Sequence, residues 1–319
     1  MLSRVAETLY WMSRYLERAE HTARLIDVDL QLRLDQSPES STGRWLRLID
    51  SLQIPPSLTG EVDADRLVHT VAFNRMNPSS IISCIALARE NLRQVREQCS
   101  TEMWEQLNRL YLQVMSSPRE EAWILQSHLF FRSVQEGAHL FHGVTDSTMA
   151  HGEGWHYIQL GRFVERTDTL SALIGTYFGR LPHPPDLAVE GAEYLEWVGL
   201  LKSCAAFEAY CKAYSAELRP QRVAAFLLLD SEFPHSIRFS VDSIHAALRM
   251  IGELTARKTT LPVRIAGRLR AGLSFSQIEE IMAEGVHGYL NNVRSQCAQA
   301  HAAIQQIYFD YPIESALVA

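Results

Sequence analysis

A chain of 319 residues, 47% apolar and 21% charged, has the composition of an ordinary globular protein and enough length for a large core. Its formal charge of −7 is spread along the chain, which leaves no basic stripe for nucleic acid. No uncharged run approaches the roughly 18 residues of a membrane span, and the N-terminus MLSRVAETLYW carries charge where a secretion signal has its apolar core. The expected location is therefore the cytoplasm.

Of the 30 basic residues only Lys202, Lys212 and Lys258 are lysine, so 27 are arginine. Arginine offers a planar fork to carboxylates and phosphates, although a GC-rich genome produces the same bias and accounts for most of these. The five cysteines, Cys84, Cys99, Cys204, Cys211 and Cys297, form no C-x-x-C pair and sit mostly at apolar helical positions. That pattern predicts reduced, buried thiols.

In chain order, the first element is a long helix. Leu2, Val5, Leu9, Met12, Leu16, Ala19, Ala23, Ile26 and Leu30 recur every three or four residues, a seam for lengthwise packing. SPESSTG (37–43) reads as a polar loop, with a short helix starting near Arg44, and QIPPSLTG (53–60) as a further break. Asn77 is placed to cap a helix with Pro78 at its first position, running to about Ser116. Pro118 opens another helix, and HGVTDSTMAHGEG (142–154) reads as a central loop. After a helix from there to about 180, LPHPPD (181–186) marks a subdomain joint. Later helices cover about 187–216, 220–229, 235–257 and 275–310. No segment alternates as a strand, FLLLD (226–230) being too short to decide. The expected fold is all-α, an elongated multi-helix bundle.

One motif occurs twice. Arg14, Glu17, Arg18 and Glu20 in RYLERAEHTARLI match Arg162, Glu165, Arg166 and Asp168 in RFVERTDTLSALI at a constant offset of 148. The R-x-x-E-R repeat suggests two weakly related halves, although the similarity fades outside the motif. On a helix, Arg14, Glu17, Arg18 and His21 share one face, as do Arg162, Glu165, Arg166 and Thr169. Tyr10, Trp11, Leu25, Val28 and Leu32 lie on the same side as the first set, so both sides of this helix are expected to be covered and the charges at least half buried.

Two readings follow. In one, Glu17 pairs with Arg162 or Arg166 and Glu165 with Arg14 or Arg18, a latch between the two helices. In the other, the four arginines converge on an anionic group such as a phosphate or peptide carboxylate. A further polar stripe, Arg89, Arg93, Arg96, Ser100, Trp104 and Asn108, falls along one face of the helix ARENLRQVREQCSTEMWEQLN. It reads either as a solvated face or as a binding surface.

The chain resembles the alpha-E family of bacterial helical proteins. The resemblance rests on MLSRVAETLYWMSRYLERAEHTARL, ARENLRQVREQCSTEMWEQLN, STMAHGEGWHYIQLGRFVERTD, FLLLDSEFPHSIRFSV and AEGVHGYL, in that order over nearly the whole chain. It implies a single all-helical domain over 1–319. It further implies an accessory role beside circularly permuted ATP-grasp proteins and transglutaminase-like proteins, in systems that form or trim peptide-like amide bonds. By the same resemblance, His21 stands where the family usually has Asn, and His151 and His235 where it usually has Arg. If those arginines bind an anion, that part of the site is weakened here or opened to titration near neutral pH.

Catalytic signatures are sparse: there is no phosphate loop, nucleophile elbow or H-E-x-x-H. E-x-x-H occurs four times, at Glu136/His139, Glu153/His156, Glu232/His235 and Glu284/His287, more often than composition predicts. Ferritin-like di-metal bundles use such pairs. The glycine or proline in or beside each pair, however, places them at helix ends and loops, so no metal or other cofactor is expected.

The leading expectation is a non-catalytic helical partner that binds or presents a substrate to an ATP-grasp amide-ligase-like protein, without nucleic acid or membrane. The alternatives are an enzyme using Glu17 or Glu165 as acid or base on a peptide-like or phosphorylated substrate, a di-metal carboxylate bundle, and a purely structural oligomer.

Overall fold

The computed structural model describes residues 1–34, 41–59, 64–116, 123–180, 187–255 and 260–310. Its organising element is α1 (Ser3–Leu34), a helix of 32 residues. The seam residues Leu9, Met12, Leu16, Ala19 and Ala23 are completely buried. Tyr10, Leu25, Val28 and Leu32 on the other side are buried as well. Each large apolar side chain so buried contributes roughly 1.5–3 kcal/mol, and a helix covered all round is a core helix. The seam starts one turn later than its spacing suggests, since Leu2 is 77% exposed.

The chain continues through α2 (Ser41–Ser51), α3 (Pro56–Thr59), α4 (Ala64–Ala72), α5 (Ile81–Gln94), α6 (Thr101–Met115), α7 (Trp123–Thr148) and α8 (Glu153–Arg180). It then forms α9 (Gly191–Ser203), α10 (Phe207–Tyr214), α11 (Pro220–Leu229), α12 (Ile237–Thr255), α13 (Leu261–Phe275), α14 (Ile278–Glu284) and α15 (Val286–Ile304), which widens into a π turn over Gln305–Phe309. No strand occurs among the described residues, and none of their helices is long and apolar enough to cross a membrane. The architecture is an all-α multi-helix bundle.

Helices α1 and α8 are its central pair. Helix α1 also packs on α5, α7 and α9, and α8 on α2, α12 and α15. The two run parallel. The Met1 ammonium bonds Glu153 at 2.8 Å, Tyr10 lies over Gly161, and Arg14 and Arg18 both reach Glu165. A Cβ built on Gly161 would stand 2.2 Å from the Tyr10 carbonyl oxygen, so the two backbones meet where only glycine fits.

Several boundaries differ from the sequence reading, each for a local reason. The helix expected from Pro78 to Ser116 is two helices. Ser80 caps α5 by accepting from the Ser83 N–H, while Asn77 bonds Ser79 N and Thr70 O instead. The backbone turns at Val95, passes through a 3-10 turn at Arg96–Gln98, and restarts when Ser100 accepts from the Met103 N–H. Most of the 142–154 segment is helix. Thr145, Ser147 and Thr148 donate to carbonyls four residues back at 2.8 Å, so their polarity is satisfied inside α7. Only residues 149–152 break it.

The 187–216 segment is interrupted at Ala205, which takes a positive φ of 51° between α9 and α10. The 275–310 segment breaks at Gly285, φ 99°. Helix α13 was not foreseen, although Pro262 in its first turn is a start signal. Phe226–Leu229 belongs to α11. The proposed joint at 181–186 lies outside the described residues. All five cysteines are free; Cys84, Cys204 and Cys297 are buried, while Cys99 and Cys211 are partly exposed.

Candidate functional site

Equal spacing on two parallel helices brings the repeated motifs to one level. Glu165 accepts from Arg14 Nε at 2.7 Å and from Arg18 Nε and Nη2 at 2.6 and 3.1 Å. In return Arg166 Nε donates to Glu17 at 2.6 Å, and Arg162 Nε lies 3.6 Å from the same carboxylate. The pairing is reciprocal, and Glu17, Glu165, Arg14 and Arg166 are all buried. Arg18 and Arg162 keep partial exposure. Trp11 supplies a wall: the Arg14 guanidinium lies 4.8 Å from its ring centroid, with Tyr10 and His301 alongside.

Two further elements close over the pair, and the sequence carried a signal for them that the reading missed. P-x-S-I occurs at Pro78–Ile81 and again at Pro234–Ile237. Ser80 and Ser236 each accept from the backbone N–H three residues on, starting α5 against α1 and α12 against α8. Arg18 Nη1 donates to Ser79 Oγ at 3.5 Å, and Arg166 Nη1 donates to the Pro234 carbonyl at 3.1 Å. The arginine of each E-R dipeptide, Arg18 and Arg166, is thus tied to the turn that opens its neighbouring helix.

The electrostatics follow from burial opposed by charge. Burial alone raises the pKa of Glu17 and of Glu165. Arg166 at the first, and Arg14 with Arg18 at the second, outweigh it and hold both carboxyls below their ordinary range. Glu20, similarly buried, is held down by Arg24 and by a bond from His139. Arg162 is lowered to about 10, first by burial and then by Arg166.

Burial drives His21 and His142 down to about 4, and His235 well below 6.5. Titration near neutrality, one of the two outcomes expected where histidine replaces arginine, is therefore corrected for His235: it is neutral at pH 7, as is His21, because Glu20 and Glu17 oppose the desolvation of each without outweighing it. His151 sits apart, half exposed and stacked on Trp155 at 4.2 Å.

These shifts fix the sign of the pH dependence. The unfolded histidines bind protons below about pH 6.5, whereas folded His21 and His142 do so only near 4 and His235 only well below 6.5, so the unfolded state gains protons first. Stability is expected to fall steadily from pH 7 to pH 4. Denaturant midpoints across that range measure it, and His142→Gln should flatten the slope.

The further polar stripe, Arg89 to Asn108, does not form as a single helical face. The break at Val95 folds α5 against α6, and this hairpin assembles part of the set. Arg89 Nε donates to Asn108 Oδ1 at 2.7 Å, and its guanidinium lies 5.2 Å from Trp104 and 4.6 Å from Tyr111. Arg96 covers Trp104 at 5.3 Å. Arg93 is excluded, turning outward to Glu90. Ser100 bonds Thr148 at 2.7 Å, tying the hairpin to α7. Arg89→Ala should cost about 1–2 kcal/mol through its cation–π contacts and lost bond, read as a denaturant midpoint, while Arg93→Ala should leave the midpoint unchanged.

The E-x-x-H pairs are dispersed. Glu136/His139 lies within α7, contrary to the helix-end reading. Glu136 is exposed and bonds Arg132, while His139 faces Glu20. Glu153 holds the Met1 ammonium, and His287 Nδ1 donates to the Gly175 carbonyl at 2.9 Å. Among the described residues no three His, Cys, Asp or Glu side chains are grouped to hold a metal ion.

No solved structure matches the chain. Uncharacterized proteins of Mycobacterium bovis and of a Mycobacterium tuberculosis strain are 23% identical over 338 aligned positions, and one of a second M. tuberculosis strain is 22% identical. The alignment takes in 95% of this chain and 36% of each relative, so the chain spans about a third of their length. Residues 1–309 match Alpha-E, described as a predicted alpha-helical domain with a conserved ER motif. E-R occurs twice here, at Glu17–Arg18 and Glu165–Arg166, the two dipeptides that interlock at the centre of the bundle. The chain belongs to the Alpha-E family.

Proposed function

We propose that this chain is a non-catalytic helical module that binds or presents a substrate to an ATP-grasp amide-ligase-like partner, in a system that makes or modifies peptide-like bonds. The observation that carries the non-catalytic part is the reciprocal pairing of Glu17 and Glu165. A general acid or base works best with a pKa near the operating pH. These two carboxyls are displaced the other way, and their oxygens are already occupied by guanidinium groups. The partner rests on the resemblance. That the chain matches only a third of its longer relatives agrees with a module acting beside other domains. A transglutaminase-like protein is a further partner on the same ground.

The test is co-purification of the tagged chain with an ATP-grasp-type protein from its source cells, with assays of the isolated chain alongside. Association without turnover by the isolated chain is the expected result. Turnover of a peptide-like or phosphorylated substrate by the chain alone, abolished in Glu17→Gln, would replace this reading with that of an enzyme.

A further inference from the structure

A cleft of about 280 Å³ opens on one side of the arginine–glutamate pair, between α1, α8, the turn before α3 and the Asn77–Ser79 turn. Three features of it point to a ligand. First, Arg14 and Arg18 share the single Glu165 carboxylate, so one positive charge at this level has no counter-charge of its own. The neighbouring Asp168 supplies none, since it is taken by Arg294 at 2.8 Å. Second, Arg18 spends Nε and Nη2 on Glu165, leaving Nη1 with only the long 3.5 Å bond to Ser79 Oγ. Third, His21 lines the cleft at 6% exposure, and its Nε2 has no hydrogen-bond partner among the described residues. A buried polar nitrogen without a partner costs about 1–3 kcal/mol, a cost that a ligand's hydrogen bond removes. Ile54, Pro55, Leu58, Val71 and Ala172 give the remaining wall an apolar surface.

We propose that this cleft is a binding site for a small carboxylic acid bearing a hydrogen-bond donor on the adjacent carbon, an α-amino or α-hydroxy acid. The carboxylate lies against Arg18 Nη1 and Ser79, and the donor reaches His21 Nε2. One uncompensated positive charge suits a monoanion. A dianion such as hydrogen phosphate would leave one negative charge unmatched beside Glu165 and Asp168. His21, driven down to about 4 by burial, is neutral at pH 7 and so accepts a hydrogen bond at Nε2 when its proton is on Nδ1. Gln53, Ile54, Pro55 and Ala172 also border a more open groove of about 550 Å³, so a ligand longer than the cleft has a path along α8 toward Arg294. The proposal builds on the presenting role above by naming what is presented. It is tested without the partner, so a failure here leaves the co-purification result standing.

The experiment is calorimetric titration of the full chain with L-serine, L-glutamate, L-lactate, propionate and inorganic phosphate. Saturable binding of an amino or hydroxy acid, at least ten-fold tighter than propionate and phosphate, is expected, and whichever of the two binds assigns the donor. His21→Leu should fold with equal or greater stability, because it removes an unpartnered polar atom, yet bind at least ten-fold more weakly. Ala172→Leu, which fills the apolar wall, should abolish binding. The proposal is overturned by no saturable binding to wild type up to millimolar ligand, by unchanged affinity in His21→Leu, or by propionate or phosphate binding as tightly as the donor-bearing acids.

Discussion

Glu165→Leu is expected to destabilise the fold by about 3–5 kcal/mol, the cost of leaving a buried charge without its partner. The effect is large because one carboxylate serves two guanidiniums. Removing it strands Arg14, which is buried, and Arg18, which is partly so. Arg14→Met should cost less, since Glu165 keeps both of its bonds to Arg18. The triple variant Arg14→Met, Arg18→Met, Glu165→Leu should recover most of the loss, because an apolar replacement of the whole network leaves no charge unpaired. Equilibrium unfolding in urea measures all three. A single Glu165→Leu change that alters stability by less than about 1 kcal/mol would show that water reaches these charges and that the latch is an ordinary surface pair.

Gly161→Ala should be the most damaging glycine-to-alanine change among the described residues. Alanine in a helix interior normally gains about 1 kcal/mol over glycine, so stabilisation is the default. Here the added carbon meets the Tyr10 carbonyl at 2.2 Å, and a backbone oxygen has no rotamer to escape into. The two helices must separate, at a cost of about 1–3 kcal/mol or more. That separation also lengthens the Arg14–Glu165 and Arg166–Glu17 bonds a turn away. A net loss of about 2 kcal/mol is expected. Gly143→Ala is the internal control, because nothing lies within 4 Å of its new Cβ in α7. A gain of roughly 0.5–1 kcal/mol is expected there. If both changes stabilise, the close approach of α1 and α8 is absent in solution.

What could be read in the sequence, and what could not, divides along the range of the forces involved. The apolar spacing of α1 gave its length and its double-sided burial, because each helical turn needs cover and the sequence lists those needs locally. The offset of 148 likewise showed that two motif helices carry matching charge on matching faces. Helix ends were harder. Ser80 rather than Asn77 caps α5, and Ser100 restarts the chain after Val95, because capping depends on which of several eligible side chains is free to turn back. Arg89 and Trp104 shared a predicted face, yet they meet across a hairpin instead, which moved Arg93 out of the group.

By itself the sequence determined that this is an all-helical protein with a twice-used arginine–glutamate motif. Only the tertiary structure decided that α1 and α8 run parallel and in register, so that each glutamate faces the other helix's arginines. The same register leaves His21 without a partner beside a cleft. The reason is physical: periodicity records what one helix must hide, whereas charge pairing and desolvation depend on the distance to groups 150 residues away, which the packing of α1 on α8, with its close approach at Gly161, sets.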